Sequence, residues 1–301
     1  MRRLRPLTAV LPALLALAGC RSAPTSPGAS GGPRLHVAVS VPPQAYFVER
    51  IGGPRVAVEV MIPPGFSHDD YPLTPRQMAA LSTIDLYIKV GHPSFTYERR
   101  YIDPFLERQP RVRIVNMSEG MRFLEGHGDE AGEDHDQDGG DPHVWVAPET
   151  VAVAAGNIAR ALAAADPAGA PLYQANQHSF LEAIDRLDRE IRAELAAAPV
   201  RKFIVYHPSW GYFARQYGLE QIAIEAEGKE PGAEQMIRLI DRARREGVRL
   251  VFVEGGFPRR SAQVIADAVD GQVVLADPQQ KDWPANLRRV AAAFRRVPPN
   301  D

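Results

Sequence analysis

Short apolar, β-branched runs alternate along most of the chain with longer segments whose apolar residues recur every three or four positions. The short runs predict strands at Leu35–Ser40, Val56–Ile62, Leu86–Val90, Val112–Val115, Phe203–Tyr206, Gln221–Ile224, Leu250–Glu254 and Val273–Leu275. The longer segments predict helices at Pro43–Ile51, Thr74–Ser82, Tyr101–Arg108, Glu149–Ala165, Gly211–Tyr217, Ala233–Glu246, Ser261–Val269 and Pro284–Arg296. Such alternation is typical of parallel sheets covered by helices. Because half of the strands fall before residue 120 and half after residue 200, we predict an α/β protein of two lobes, each with a four-stranded, mostly parallel sheet.

A long helical pattern lies between the two groups of strands, from Pro171 to Ala198. It has no proline or glycine in its interior, and its apolar positions recur at helical spacing: Phe180, Ile184, Leu187, Ile191 and Leu195. A helix of that length spans about 42 Å at about 1.5 Å per residue. We interpret it as a rigid strut between the lobes, the alternative being a surface helix of one domain. The predicted parts are therefore a lobe at 34–167, a linking helix at 168–199 and a lobe at 200–298.

The first residues have the features of an export signal. Three arginines precede the apolar run Leu7–Ala18, which is too short to span a bilayer as a stable helix. The run closes with Leu-Ala-Gly-Cys, which resembles the bacterial lipoprotein processing signal; the alternative is an ordinary signal peptide. We therefore expect a signal peptide at 1–19, a lipidated Cys20 and a flexible tether at 20–33, with the protein in the periplasm or on the outer face of the cytoplasmic membrane. Cys20 is the only cysteine, so a cysteine-ligated zinc site and an internal disulfide are excluded.

One segment of the chain is distinguished by its charge. The formal net charge is only −2 and no basic stripe with interleaved aromatics occurs, which argues against nucleic acid as a partner. Between Glu125 and Trp145, however, eight carboxylates and three histidines occur without a single lysine or arginine. Such a segment repels itself and offers oxygen and nitrogen donors to a divalent cation. We predict an auxiliary metal-attracting loop at 125–142 with His127 and His135, the alternative being a solvated spacer.

Four candidate ligands stand where loops of parallel sheets gather, beyond the carboxyl ends of strands. His68 follows the strand that ends at Ile62, and His207 directly follows the strand Phe203–Tyr206. Asp277 comes two residues after the strand Val273–Leu275, and His143 stands at the ordered end of the acidic loop. Three imidazoles and one carboxylate make a four-ligand set suited to zinc.

Four segments carry a resemblance to a known family: DPHVWVAPETV, YHPSWGYFARQYGL, GKEPGAEQM and LADPQQKDW. In this order they resemble the zinc- and manganese-binding solute-binding lipoproteins of bacterial ABC importers (cluster 9, or the A-I family). The resemblance covers the chain from Leu35 to about Arg296. It implies two Rossmann-like lobes joined by one backbone helix, with the metal between them. It also implies that His143, His207 and Asp277 are the second, third and fourth ligands.

The first ligand departs from the pattern of the family, in which a histidine follows Gly-x-x-Pro. Here the segment reads Gly-Phe-Ser-His-Asp-Asp-Tyr-Pro from Gly65, so that Asp69 aligns with the family's histidine and His68 lies one position earlier. Either His68 reaches the metal after a local shift or Asp69 replaces it, and we favour His68. Three imidazoles and one carboxylate favour zinc, whereas two of each shift the balance towards manganese.

The resulting hypothesis is a binding protein without catalysis. It captures Zn²⁺ between the lobes and delivers it to a membrane permease of an ABC importer, as a lipid-anchored monomer. One alternative is a manganese-specific member of the same family. Others are a zinc-dependent hydrolase, a surface adhesin and a binder of iron chelates or corrinoids. Against the hydrolase, no metal-enzyme spacing such as HExxH occurs, and a fourth protein ligand at Asp277 would close the site.

Overall fold

The strands of the protein form two separate sheets of the same design. The structure, a computed structural model, describes residues 34–68, 71–125, 140–225, 232–255 and 259–297. The first sheet has the order β2-β1-β3-β4, with β1 Leu35–Val39, β2 Val56–Val60, β3 Leu86–Lys89 and β4 Arg113–Asn116. The second has the order β6-β5-β7-β8, with β5 Lys202–Val205, β6 Glu220–Ala223, β7 Leu250–Val253 and β8 Gln272–Leu275. All neighbouring strands are parallel, so the predicted α/β class with two four-stranded sheets is confirmed.

The strand order determines where a ligand can bind. In both sheets the chain passes from one strand to a neighbour on one side and then returns to the other side, at β1 and at β5. Such a reversal opens a crevice at the carboxyl ends of the strands. The loops that carry the candidate ligands leave from these ends.

Helices cover the sheets and connect the strands. They are α1 Pro42–Gly52, α2 Pro75–Leu81, α3 Asp103–Leu106, α4 Pro148–Ala165, α5 Ala170–Ala196, α6 Gly211–Tyr217, α7 Ala233–Arg245, α8 Arg259–Ala268 and α9 Trp283–Arg296. Within the described ranges, no helix is long and apolar enough to cross a membrane.

The long helix α5 follows the prediction to within two residues at each end. Its buried side chains form one stripe at three- and four-residue spacing from Phe180 to Leu195, and Tyr173, seven residues before Phe180, extends the same face. This stripe packs against α1, α4 and α9, which come from both halves of the chain. The helix is therefore part of a shared core.

The hydrophobic core is continuous between the two sheets. One cluster contains residues of both, such as Val39 and Phe203, together with the stripe of α5. A second, smaller cluster lies under α7 and α8 and includes Ile204, Val251 and Ile265. Both sheets belong to one compact unit, which shows no boundary between two lobes. The predicted lobe boundaries therefore remain predictions.

The helix predicted at Tyr101–Arg108 takes a different form. The structure has a π-helical turn at Glu98–Ile102 and then the single turn α3. The turn starts early because the Glu98 carboxylate accepts hydrogen bonds from the Val90 and Gly91 amides, at 2.6 and 3.0 Å, at the end of β3. Pro104 has no amide to donate to the preceding turn, so a regular α-helix cannot run through it.

Candidate metal centre

Three of the predicted ligands meet in one cluster. His68 lies in the loop after β2, His143 precedes a 3₁₀ turn at Val144–Val146, and His207 lies two residues after β5. One ring nitrogen of each lies within 4.8 Å of those of the other two, and the Nε2 atoms of His68 and His143 are 2.8 Å apart. Loops from both sheets therefore bring three imidazoles to one point, the donor set of a zinc site.

The cluster is largely shielded from water. The side chains of His68 and His143 are buried, and that of His207 is 16% exposed. The Phe95 ring lies 5.0 Å from that of His68, and the Trp145 ring lies 5.2 Å from that of His143, measured between centroids. An apolar shell of this kind limits solvent access to a metal site and strengthens electrostatic interactions inside it.

Asp141 fixes the orientation of His143. Its Oδ1 atom accepts hydrogen bonds from the His143 amide at 2.9 Å and from the His143 Nδ1 atom at 2.7 Å. With the proton on Nδ1, the lone pair of Nε2 points into the cluster. Burial lowers the pKa of His143 to about 4, although the Asp141 carboxylate opposes this shift. The imidazole is therefore neutral and ready to bind a cation at neutral pH.

Helix α6 closes the side of the site behind Asp141. The Tyr212 hydroxyl donates to the Asp141 carbonyl at 3.0 Å and accepts from the Leu124 amide at 3.1 Å. A Cβ atom at Gly211 would lie 2.2 Å from Oδ2 of Asp141. Only glycine allows the helix to begin so close to this carboxylate.

Glu225 performs the same task for His207. Its Oε1 atom lies 2.5 Å from His207 Nδ1, which directs Nε2 of this ring towards the cluster. The two residues follow the neighbouring strands β5 and β6, which pair Val205 with Ala223. The Glu225 amide also donates to the Tyr206 carbonyl at 3.1 Å. Register between two strands thus places this pair.

A further carboxylate, Glu254, is buried directly after β7. It accepts a hydrogen bond from the Ser209 hydroxyl at 3.2 Å. Burial raises the pKa of Glu254 to about 8, and this shift is opposed by His207 and reinforced by Asp277. At neutral pH and without a cation, this carboxyl group is therefore mostly protonated and adds little negative charge to the side of the cluster that His207 forms.

Asp277 lies two residues after β8, as predicted, but its carboxylate is not a member of the three-histidine cluster found among the described residues. It is buried, and it accepts hydrogen bonds from the Gln279 amide at 2.8 Å and the Gln280 side chain at 3.2 Å. Burial raises its pKa. A Cβ atom at Gly255 would lie 3.3 Å from both Asp277 Oδ2 and the Gly65 Cα atom, so Asp277 faces the loop that carries His68.

Several predicted residues lie outside the described ranges: Asp69, the loop residues His127 and His135, and Cys20. The choice of His68 over Asp69 therefore stays a prediction. His92 is described and buried, and its Nδ1 atom accepts from the Ser94 amide at 3.1 Å. The neutral ring then carries its proton on Nε2, which is unsuitable for a metal ligand.

Reasoning from sequence missed the three supporting carboxylates Asp141, Glu225 and Glu254. Asp141 belongs to the DPH motif and lies two residues before the ligand. Glu254 was assigned to the end of a predicted strand, although the rule that identified Asp277 applies to it equally. Glu225 contacts His207 across two strands, and no motif around either residue indicates that contact.

Known proteins resemble this chain over most of its length. Residues 37–296 match the profile of the family described as "Zinc-uptake complex component A periplasmic". The high-affinity zinc uptake system protein ZnuA of Bacillus subtilis (strain 168) is 27% identical over 273 residues, which cover 85% of this chain and 82% of that protein. A crystal structure of ZnuA is 36% identical and superimposes with a TM-score of 0.81 over 88% of this chain and 99% of the other. A 138–173 deletion mutant of ZnuA with zinc bound has the same identity and TM-score, over 89% and 99% of the two chains.

Proposed function

The chain belongs to the family of periplasmic zinc-uptake components, and from this premise we propose that it captures Zn²⁺ with His68, His143, His207 and Asp277. The family consists of the metal-binding components of ABC importers and not of enzymes, so the chain binds a transported ion and its partner is a membrane permease. The hydrolase alternative has no support.

The observation that carries the ligand assignment is the convergence of three imidazoles. Their ring nitrogens come within 4.8 Å of one another, although they belong to loops from two sheets. Two of the rings have a carboxylate partner on Nδ1, which leaves Nε2 for the ion. Imidazole is a preferred zinc ligand, whereas a manganese site is richer in oxygen donors. The site therefore favours zinc.

Asp277 is the fourth ligand in this proposal. Its burial supports the assignment, because a buried carboxylate without a cation is costly to ionise and zinc offsets that cost. Its proximity to the loop that carries His68, across Gly255, also supports the assignment. A closed set of four protein ligands suits an ion that is carried and not used in catalysis.

Metal analysis under competition tests the proposal. Chelated protein is reloaded with equal Zn²⁺ and Mn²⁺, and the bound metals are quantified for the wild type and for His207→Ala, His68→Ala, Asp69→Ala and Asp277→Asn. The exposed His178 on α5 provides the matched control, His178→Ala. We expect one zinc per chain in the wild type, in the control and in Asp69→Ala. The variants of the proposed ligands His68, His207 and Asp277 should lose zinc. Zinc retained in His207→Ala would contradict the proposed site.

We also propose that Cys20 is lipidated and holds the monomeric protein at the membrane, and that His127 and His135 raise the local zinc concentration. The sequence around Cys20 and the charge of the acidic segment support these two points.

In cells, Cys20→Ser should move the protein from the membrane to the soluble fraction without changing its zinc affinity. Replacing His127 and His135 together should slow uptake only at low zinc. Membrane retention of Cys20→Ser, or unchanged uptake in the double variant, would contradict the respective point.

A further inference from the structure

Two tryptophans link the loop of His143 to the loop of Asp277 through reciprocal hydrogen bonds. The Trp145 indole donates to the Pro278 carbonyl at 2.9 Å, and the Trp283 indole donates to the Trp145 carbonyl at 2.7 Å. Trp145 lies two residues after His143, and Pro278 directly follows Asp277. We call these two bonds the tryptophan clasp.

The tryptophan clasp is buried, so water cannot replace either of its hydrogen bonds when one is lost. Both indoles are buried. A buried donor or acceptor without a partner is unfavourable, so each bond holds its two groups together more firmly than an exposed bond would. The distance between the two ligand-bearing loops is therefore set by two directional contacts in addition to packing.

The segment from Asp277 to Trp283 makes further contacts that fix its position. Gln279 donates through Nε2 to the Phe66 carbonyl at 3.0 Å, in the loop that carries His68. Asn286, on α9, donates to the Asp277 carbonyl at 2.7 Å. The segment thus belongs to the second half of the sequence but is bonded to both ligand-bearing loops of the first half.

From this arrangement we infer that Trp145 and Trp283 are positioning residues for zinc capture, which hold the Asp277 carboxylate at its working distance from His143. The inference rests on the proposed function, because it takes Asp277 as the fourth ligand. Neither indole touches the ion, and their effect on zinc passes through the backbone at Trp145 and Pro278. No other pair of tryptophans in the described ranges forms such reciprocal bonds.

A purely structural role for these residues is the competing explanation. The Trp283 ring packs edge-to-face on Phe47, with centroids 5.4 Å apart, and both tryptophans belong to the main core. Phenylalanine separates the two roles, because it keeps an aromatic ring in the core and removes only the indole N–H. Trp210→Phe provides a matched control, since Trp210 is equally buried but takes no part in the clasp.

The experiment is a double-mutant cycle on zinc affinity with Trp283→Phe and Asp277→Asn in the full chain. Trp283→Phe should weaken zinc binding about 10-fold, the lower end of the range for residues that orient metal ligands. The double variant should bind no more weakly than Asp277→Asn alone, because the clasp acts through Asp277. The control should bind as the wild type does. The Co²⁺-loaded Trp283→Phe protein should show the same change in its visible spectrum as Asp277→Asn.

Three outcomes would overturn the inference. If Trp283→Phe binds zinc with wild-type affinity and Asp277→Asn clearly loses affinity, the positioning role of the tryptophan clasp is refuted, whereas the proposed ligands are not affected. Additive losses with an unchanged Co²⁺ spectrum would show a structural role only. Wild-type affinity in Asp277→Asn would remove the fourth ligand itself and the inference with it. If Trp283→Phe does not fold, Trp145→Phe tests the same clasp from its other bond.

Discussion

His143 and His207 show two ways of orienting an imidazole in the same cluster. Each ring has a carboxylate on Nδ1 and directs Nε2 into the cluster. The partner of His143, Asp141, lies two residues earlier in the chain, and the side chain of His143 is 3% exposed. The partner of His207, Glu225, lies 18 residues later, after the neighbouring strand β6, and the side chain of His207 is 16% exposed.

The comparison shows that local and long-range supports depend on different parts of the fold. Asp141 holds His143 as long as one short segment keeps its backbone conformation. Glu225 holds His207 only while β5 and β6 keep their register. We therefore expect His143 to be the more rigid ligand and His207 to be the one that responds to changes in the second sheet.

The largest effect is expected from removing the ligands themselves. A zinc site of four protein ligands is worth about 10–16 kcal/mol, so each ligand contributes on the order of 3 kcal/mol, or about 100-fold in affinity. His143→Ala and His207→Ala should each lose at least that much in a competition titration with a zinc chelator. The loss should be larger for His143→Ala, which also removes the ring hydrogen bond to the buried Asp141 carboxylate. Equal losses would argue against the difference in rigidity.

Acid should destabilise the metal-free protein through His143. Because burial lowers the pKa of His143 to about 4, the unfolded chain binds more protons than the native protein between about pH 6.5 and pH 4. The free energy of unfolding should therefore fall as the pH drops through this window, by about 3 kcal/mol in all. Urea denaturation of chelated protein at a series of pH values measures this. His143→Gln should lack this part of the pH dependence, and an unchanged slope in that variant would contradict the assignment.

The supporting carboxylates should matter less than the ligands they orient. Loss of such a partner typically lowers metal affinity about 10- to 100-fold. We expect Asp141→Asn to fall near the upper end of that range, since Asp141 bonds both the amide and the ring of His143, and Glu225→Gln near the lower end. Isothermal titration with Zn²⁺ under chelator competition measures both. A larger loss in Glu225→Gln would reverse the comparison.

The smallest effect is expected at Tyr212, which supports Asp141 from α6. Tyr212→Phe removes the hydroxyl that bridges the Asp141 carbonyl and the Leu124 amide. Loss of such neutral bonds costs about 1 kcal/mol, so zinc affinity should fall several-fold. The NMR signals of the His143 imidazole should shift more than those of the His207 imidazole. Tyr217→Phe, on the same helix, is the control. An equal shift of both histidine spectra would place the support of Tyr212 elsewhere.

Much of the fold was accessible from the sequence because local patterns determine it. All eight predicted strands and the helix α5 are present, since short β-branched runs and a long apolar stripe have few alternative structures. The irregular turn at Glu98–Ile102 was not accessible, because it depends on a buried carboxylate that is bound by the end of the preceding strand β3, a contact that no helical periodicity reveals. The same limit applies to the site. Residue type and position at strand ends predicted the clustered histidines. The pairing of His207 with Glu225 depends on the register of β5 and β6, which no single segment contains.

The division of the hydrophobic interior into two clusters has a consequence for the order in which parts of the protein unfold. Phe203 and Val205 of β5 face the large cluster, whereas Ile204 faces the small one under α7 and α8. Small, separately packed units open at lower free energy than the main core. Amide hydrogens of α7 and α8 should therefore exchange sooner than those of α4 and α5. Each such subglobal opening would loosen one face of the strand that leads to His207, so we expect this imidazole to leave the cluster more readily than that of His143.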